Sequence, residues 1–129
     1  MNHIRFFVDF CRGKARARTS GGHFYTPPQT RADMEAIAYA YRMEGGSMIP
    51  KGIPISIKII AHKQLPKNEH KTRPFFRKPD GDNIAKLIAD ALNGVAFEDD
   101  SQVTDWTIHK TDRTDSGGDW MHVTVGWDE

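Results

Sequence analysis

The stretch from residue 80 to residue 103 reads DGDNIAKLIADALNGVAFEDDSQV and joins a helix pattern to acidic groups at both of its ends. Its apolar residues recur at three- and four-residue spacing, which predicts a helix with one buried face. These residues are Ile84, Leu87, Ile88, Ala91 and Leu92. Asp82 or Asn83 is the predicted N-cap, and Gly94 stands where a helix commonly ends. We therefore expect a helix between these points and a strand from about residue 103.

Alternating apolar residues predict further strands at residues 4–10, 53–61, 103–111 and 120–127. A first helix is predicted from Thr30 as N-cap, with Asp33 near the capping-box spacing, to the Gly45-Gly46 pair. The order is strand, helix, strand, helix, strand, strand. This order predicts one α/β domain over residues 1–129, of the mixed α+β kind, with a mixed sheet of about four strands and two main helices.

Composition is that of an ordinary globular domain, with 38% hydrophobic and 27% charged residues in 129. No apolar run reaches membrane-spanning length, and the first residues lack a signal-peptide pattern. The single cysteine, Cys11, cannot form a disulfide within the chain. These features predict a reduced, cytoplasmic protein without a membrane partner.

The net charge of +1 conceals an asymmetry along the chain. Residues 1–79 hold 15 Lys and Arg against 5 Asp and Glu, whereas residues 80–129 hold 3 against 12. A basic half favours a polyanionic partner, although two mutually attracting halves or a solvated surface are the simpler alternatives. The candidate phosphate contacts lie in two basic loops: Lys14, Arg16 and Arg18 in the first, which we expect to be mobile, and Lys71, Arg73, Arg77 and Lys78 in the second. Nearby aromatic pairs, Phe24-Tyr25 and Phe75-Phe76, are candidates for base stacking or for the core.

The acidic residues suggest a metal site. Asp80 and Asp82 are two apart, so in an extended segment both carboxylates point the same way. A third carboxylate is expected from Asp99 or Asp100, if the chain after the helix returns beside the first pair. Carboxylate oxygens suit Mg²⁺ or Mn²⁺ better than zinc. Taken singly, each acid also fits an ordinary turn, helix cap or solvated loop.

Acids beside a basic surface are what hydrolysis of a phosphodiester requires. The cations hold the nucleic-acid backbone, and a metal ion activates water and neutralises developing charge. Lys86 follows Asp82 by about one turn and is placed to reach a phosphate oxygen or the leaving group.

The motifs Asp80-x-Asp82-Asn83-x-x-Lys86, ALNG (91–94) and DDSQV (99–103) resemble the RusA family of Holliday-junction resolvases from bacteria and their prophages. The upstream KARAR (14–18) and FYTP (24–27) segments are similar to that family's basic loop. The resemblance implies a Mg²⁺-dependent homodimeric endonuclease that cuts four-way DNA junctions by paired symmetric nicks in recombination and repair, with Mn²⁺ able to substitute. It assigns catalysis to Asp80, Asp82, Asp100 and Lys86, and metal binding to the three acids, with a weaker assignment for Asp99.

Other functions remain open on the sequence. A non-catalytic module would bind junctions or other nucleic acid without cutting them, and a less selective metal-dependent nuclease would also cut linear duplex. A phosphotransferase acting on small molecules through Asp80 and Asp82 is a third alternative, but the chain has no glycine-rich phosphate loop.

Overall fold

A computed structural model of the chain describes residues 1–65, 73–74, 78–113 and 117–129. Its helices are α1 (Pro28–Met43), α2 (Gly81–Leu92) and a 3₁₀ turn, η1 (Asp100–Gln102). Its strands are β1 (Asn2–Val8), β2 (Arg18–Ser20), β3 (His23–Tyr25), β4 (Ile55–His62), β5 (Arg73–Pro74), β6 (Val103–Lys110), β7 (Asp112–Arg113) and β8 (Trp120–Trp127).

The main sheet has four strands in the order β1-β8-β4-β6. Strand β8 runs antiparallel to both of its neighbours, and β4 runs parallel to β6. Helix α1 packs against α2 and β1, and α2 packs against β6. The predicted α+β fold, with a mixed four-stranded sheet and two main helices, is confirmed.

The core lies between the sheet and the two helices. Alternate residues of β4 are fully buried, as the period of two predicted: Ile55, Ile57, Ile59 and Ala61. The predicted stripe of α2, from Ile84 to Leu92, is also buried and joins the same cluster. Each buried Ile or Leu side chain stabilises the fold by about 1.5–3 kcal/mol, so this contact fixes where α2 lies.

The predicted N-caps of both helices are wrong, whereas the helices do end beside Gly45 and Gly94, both at positive φ. Helix α1 begins at Pro28, and Thr30 is a buried residue inside its first turn. Proline has the φ angle of a helix and needs no hydrogen bond in the first turn, so it begins the helix earlier. In α2 the N-cap position belongs to Asp80, whose side chain makes no capping bond, and Asp82 and Asn83 lie inside the helix.

Part of the first basic loop is regular. Strands β2 and β3 form a hairpin from Arg18 to Tyr25, and the turn between them uses Gly21 and Gly22 at φ of 57° and 81°. Two consecutive positive φ angles suit the tight turns that match the twist of a hairpin, and glycine adopts them without strain. Phe24 is 79% exposed and Tyr25 is exposed as well, so a core position for this pair is wrong.

Candidate nucleic-acid and metal site

A groove of about 1000 Å³ lies where the N-terminal ends of both helices meet the segment that follows β1. Its charged lining is mostly basic, with two acids, Asp33 and Asp80. The basic lining residues are Arg12, Lys14, Arg16, Arg18, Lys63, Lys78 and Lys86. Helix N-termini add partial positive charge from their free N–H groups. The groove is therefore suited to an anionic ligand.

The near wall of the groove is a short strap, Arg12-Gly13-Lys14, which crosses between the helices. Arg12 donates two hydrogen bonds to the buried carboxylate of Asp33 on α1, each 2.7 Å long, and Gln29 donates a third at 2.8 Å. The same guanidinium lies 4.6 Å from the centre of the Phe10 ring. Hydrogen bonding to Asp33 raises the pKa of Arg12 above its ordinary value. Paired charge-assisted bonds of this kind fix both position and orientation.

The other end of the strap is attached to α2. The Lys14 N–H donates to the Asn83 carbonyl at 2.9 Å, and its ammonium lies 2.5 Å from the Asp90 carboxylate. A Cβ on Gly13 would lie 2.8 Å from the Asn83 Cβ, which real side chains do not tolerate. Only glycine therefore allows this approach. The expectation of a mobile loop is wrong for Arg12–Lys14, because the strap is held at both ends.

Three of the predicted catalytic residues lie at the groove end of α2. Asp80 lines the groove at the N-cap position, and Lys86 lines it six residues further along. The Asp82 carboxylate lies 3.8 Å from the Lys86 ammonium, an i,i+4 pair with both side chains well exposed. The exposure of both groups leaves them accessible to a ligand.

The acids after α2 lie elsewhere. Asp99 accepts a hydrogen bond from the Ser101 N–H at 3.0 Å and thereby begins η1, and this bonding lowers the pKa of Asp99. Asp100 is the first residue of η1 and is half-buried. Gln102 donates to the carbonyls of Pro50 and Ile53, at 2.7 and 3.1 Å, and so ties η1 to the segment before β4.

Asp100 consequently lies at the opposite end of α2 from Asp80. The first residue of α2, Gly81, faces Ile108 near the end of β6, whereas η1 directly precedes the first residue of β6. The expectation that the chain returns beside the first acidic pair is wrong, because α2 and β6 run in opposite directions. Within the described ranges, no group of three or more His, Cys, Asp or Glu side chains could hold a metal ion. Metal binding by Asp80, Asp82 and Asp100, with Asp99 as the weaker candidate, stays a prediction.

The predicted DNA contacts divide by position. Lys14, Arg16, Arg18 and Lys78 all line the groove, and their role stays a prediction. Lys71 and Arg77 lie outside the described residues, as do Phe75, Phe76 and the side chain of Arg73. Sequence reasoning did not select Arg12 and Lys63 as site residues, although both line the groove. The sequence signal for Lys63 is its position directly after the buried strand β4.

Cys11 also borders the groove but is 1% exposed. Burial raises the pKa of its thiol to about 11, so the thiol is protonated at neutral pH. A protonated thiol is neither a good nucleophile nor a metal ligand, and Cys11 acts as a small apolar side chain.

A family model described as endodeoxyribonuclease RusA matches residues 10–118. The match includes the strap, the groove end of α2 and the acids of η1. The uncharacterized protein YqaN of Bacillus subtilis (strain 168) is 28% identical over 126 residues, which cover 85% of this chain and 88% of that protein. Neither helix in the described part of the chain is long and apolar enough to cross a membrane.

Proposed function

Since this chain belongs to the RusA endodeoxyribonuclease family, we propose that it is a metal-dependent endonuclease that resolves four-way DNA junctions by paired symmetric nicks in recombination and repair. The observation that carries the proposal is the groove, where seven Lys and Arg side chains, Lys86 among them, converge beside Asp80. Cations held in one concave surface bind a phosphodiester backbone by displacing its counterions. The acids beside them supply the chemistry.

Each group has a separate role in the proposed reaction. Arg16, Arg18 and Lys78 hold the backbone phosphates on either side of the cut. Asp80, Asp82 and Asp100 would hold Mg²⁺, or Mn²⁺ in its place, since their oxygen ligands fit a hard cation. When bound, the ion supplies an activated water and neutralises charge on the phosphate. Lys86 donates a hydrogen bond to a phosphate oxygen or to the leaving group.

This ligand set needs two copies of the chain. Asp100 and the pair of Asp80 with Asp82 lie at opposite ends of α2. Strand β6 is at an edge of the sheet, and α2 runs antiparallel along it. If two β6 edges pair antiparallel about a twofold axis, Asp100 of each copy comes to the end of the dimer where the other copy has its Asp80 and Asp82. A twofold dimer also offers one site to each of two symmetry-related DNA strands.

Cleavage of a synthetic four-way junction tests the proposal. With Mg²⁺ the protein should make paired nicks, and it should leave a linear duplex of the same sequence largely uncut. Asp82→Asn should abolish cleavage while junction binding persists, because the substitution removes a ligand charge and leaves every cation of the groove in place. Asp128→Asn is the matched control and should cleave normally, since Asp128 is an exposed acid that pairs with the N-terminal ammonium at 3.5 Å and does not line the groove.

Each other outcome points to an alternative function. Equal cutting of the linear duplex would indicate a general nuclease. Binding of the junction without any cutting, with either metal ion, would indicate a non-catalytic module. Cleavage that survives both Asp82→Asn and Asp80→Asn would show that the site is wrong.

A further inference from the structure

Charged side chains of alternating sign follow one another along one face of α2. Asp82, Lys86 and Asp90 are four residues apart, so Lys86 has a carboxylate one turn before it and another one turn after it. Among the described residues, its ammonium pairs with Asp82 at 3.8 Å and not with Asp90. The Lys86 ammonium could therefore pair with either acid. Another contact must determine that it pairs with Asp82 and not with Asp90.

Lys14 supplies the reason. Its ammonium forms an ion pair with the Asp90 carboxylate at 2.5 Å, and this pair is less exposed to solvent than the pair of Lys86 with Asp82. The Lys14 and Asp90 side chains are 42% and 29% exposed, against 62% for Lys86 and 71% for Asp82. A less solvated pair is screened less by water and salt, so Asp90 is the acid that Lys14 holds more firmly.

The position of Lys14 does not depend on its charge. Its backbone N–H is bonded to the Asn83 carbonyl, Gly13 packs closely on the first turn of α2, and Arg12 is fixed to Asp33. These contacts hold the Lys14 side chain beside α2. A neighbouring ammonium also repels that of Lys86 and disfavours its approach to Asp90.

We propose that Lys14 is a positioning residue for Lys86. By occupying Asp90, it leaves the Lys86 ammonium directed toward Asp82 and the groove end of α2. The part that Lys86 plays in cleavage rests on the proposed function, whereas the choice of ion pair does not. Without Lys14, Asp90 becomes available, and Lys86 can swing toward it by up to one helical turn, about 5.4 Å.

This role differs from a direct phosphate contact, and the two make different predictions. A phosphate contact that is lost weakens junction binding, and a second change at Asp90 cannot restore it. A positioning contact that is lost slows cleavage, and removal of the competing acid restores the rate, because Lys86 then has only Asp82 to pair with.

The test compares Lys14→Gln, Asp90→Asn and the double variant. Rates are measured on a four-way junction in single-turnover reactions with saturating enzyme, so that losses of affinity do not enter. We expect Lys14→Gln to slow cleavage at least about tenfold, since misplacement of a catalytic group by an ångström or more has effects of this size. The double variant should return to within about threefold of the unaltered protein, and Asp90→Asn alone should stay near it.

Arg16→Gln is the comparison for a direct phosphate contact, because it removes a groove cation from the same segment. It should weaken junction binding measured without metal, and a second change, Asp90→Asn, should not restore that binding. Lys14→Met keeps the aliphatic stem and replaces Lys14→Gln if the latter does not fold. If the double variant is as slow as the single one, or if Lys14→Gln changes only binding, the positioning role is wrong.

A crystal structure of the Lys14→Gln variant gives a readout that needs no cleavage. We expect the Lys86 ammonium within 4 Å of Asp90 in that structure, and an unchanged pair with Asp82 would overturn the inference. If the unaltered protein cuts no junction, the proposed function fails, while this structure still decides the ion pairing.

Discussion

Two inactive variants should restore a working site when they share a dimer. We predict that a heterodimer of Asp82→Asn with Asp100→Asn nicks a four-way junction, although neither variant does so alone. In a shared site, one chain supplies Asp80 and Asp82 and the other chain supplies Asp100. In the heterodimer, both substitutions then fall in one of the two sites, and the other site keeps all three acids unaltered. Sites built within single chains would each contain one substitution, and both would be inactive.

The dimensions of α2 underlie this expectation. Its 12 residues extend over about 18 Å at about 1.5 Å per residue, whereas magnesium binds its oxygen ligands at about 2.1 Å. Carboxylates at the two ends of one helix therefore cannot bind the same ion. One intact site out of two predicts about half the nicking rate of the unaltered dimer, with single nicks instead of paired ones.

The two chains are co-expressed with different affinity tags, and the heterodimer is isolated through both tags in turn. Nicks are counted on a junction labelled on opposite strands. The matched control is a heterodimer of Asp82→Asn with Asp80→Asn, which damages the same half of both sites and should be inactive. If the Asp82→Asn and Asp100→Asn heterodimer is equally inactive, the shared site is refuted.

Three further predictions concern the strap and the buried thiol. Asp33→Ala should lower the free energy of unfolding, measured in urea, by about 2–3 kcal/mol, less than for a fully buried pair because Arg12 is partly exposed; a loss below about 0.5 kcal/mol would contradict this. Gly13→Ala should cost about 1–3 kcal/mol by the same measurement, while Gly81→Ala, whose added Cβ meets only an ordinary 3.6 Å contact, should cost nothing. Burial raises the Cys11 pKa from 9.0 to about 11, so the contribution of Cys11 to the free energy of unfolding is present below pH 9 and is lost as the pH rises toward 11. Cys11→Ala should remove this loss, and identical pH profiles of the two proteins would contradict the prediction.

The sequence predicted the main elements well because each has a strong period of its own. The alternation in β4 and the stripe of α2 are local patterns, and both proved to be buried faces. The helix starts were predicted wrongly because residues with good capping side chains lie just after the observed starts. These are Thr30 after Pro28, and Asp82 and Asn83 after Asp80, and the sequence alone does not rank them. The β2–β3 hairpin was missed because its strands are short and exposed, so no apolar alternation marks them.

The candidate site was predicted less completely, because its contacts depend on tertiary structure. The residue types of the groove were readable, and the grouping of Asp80 with Lys86 follows from helical spacing. The pairs of Arg12 with Asp33 and Lys14 with Asp90 join residues 21 and 76 positions apart, which no local pattern indicates. The position of Asp100 depends on the relative direction of α2 and β6. No periodic pattern in the sequence indicates that direction.

The charge asymmetry had two interpretations, and the structure gives a physical reason why they are compatible. Ion pairs do join the two halves, as between Lys51 and Glu98 or Lys63 and Asp119. Within the described ranges, however, Arg16 and Arg18 line the groove without a carboxylate within 4 Å. Cations that already have a protein counterion must exchange it before they bind phosphate, whereas unpaired ones release only salt ions. The same basic loop therefore contains residues of both kinds, and the unpaired ones are the better candidates for DNA contacts.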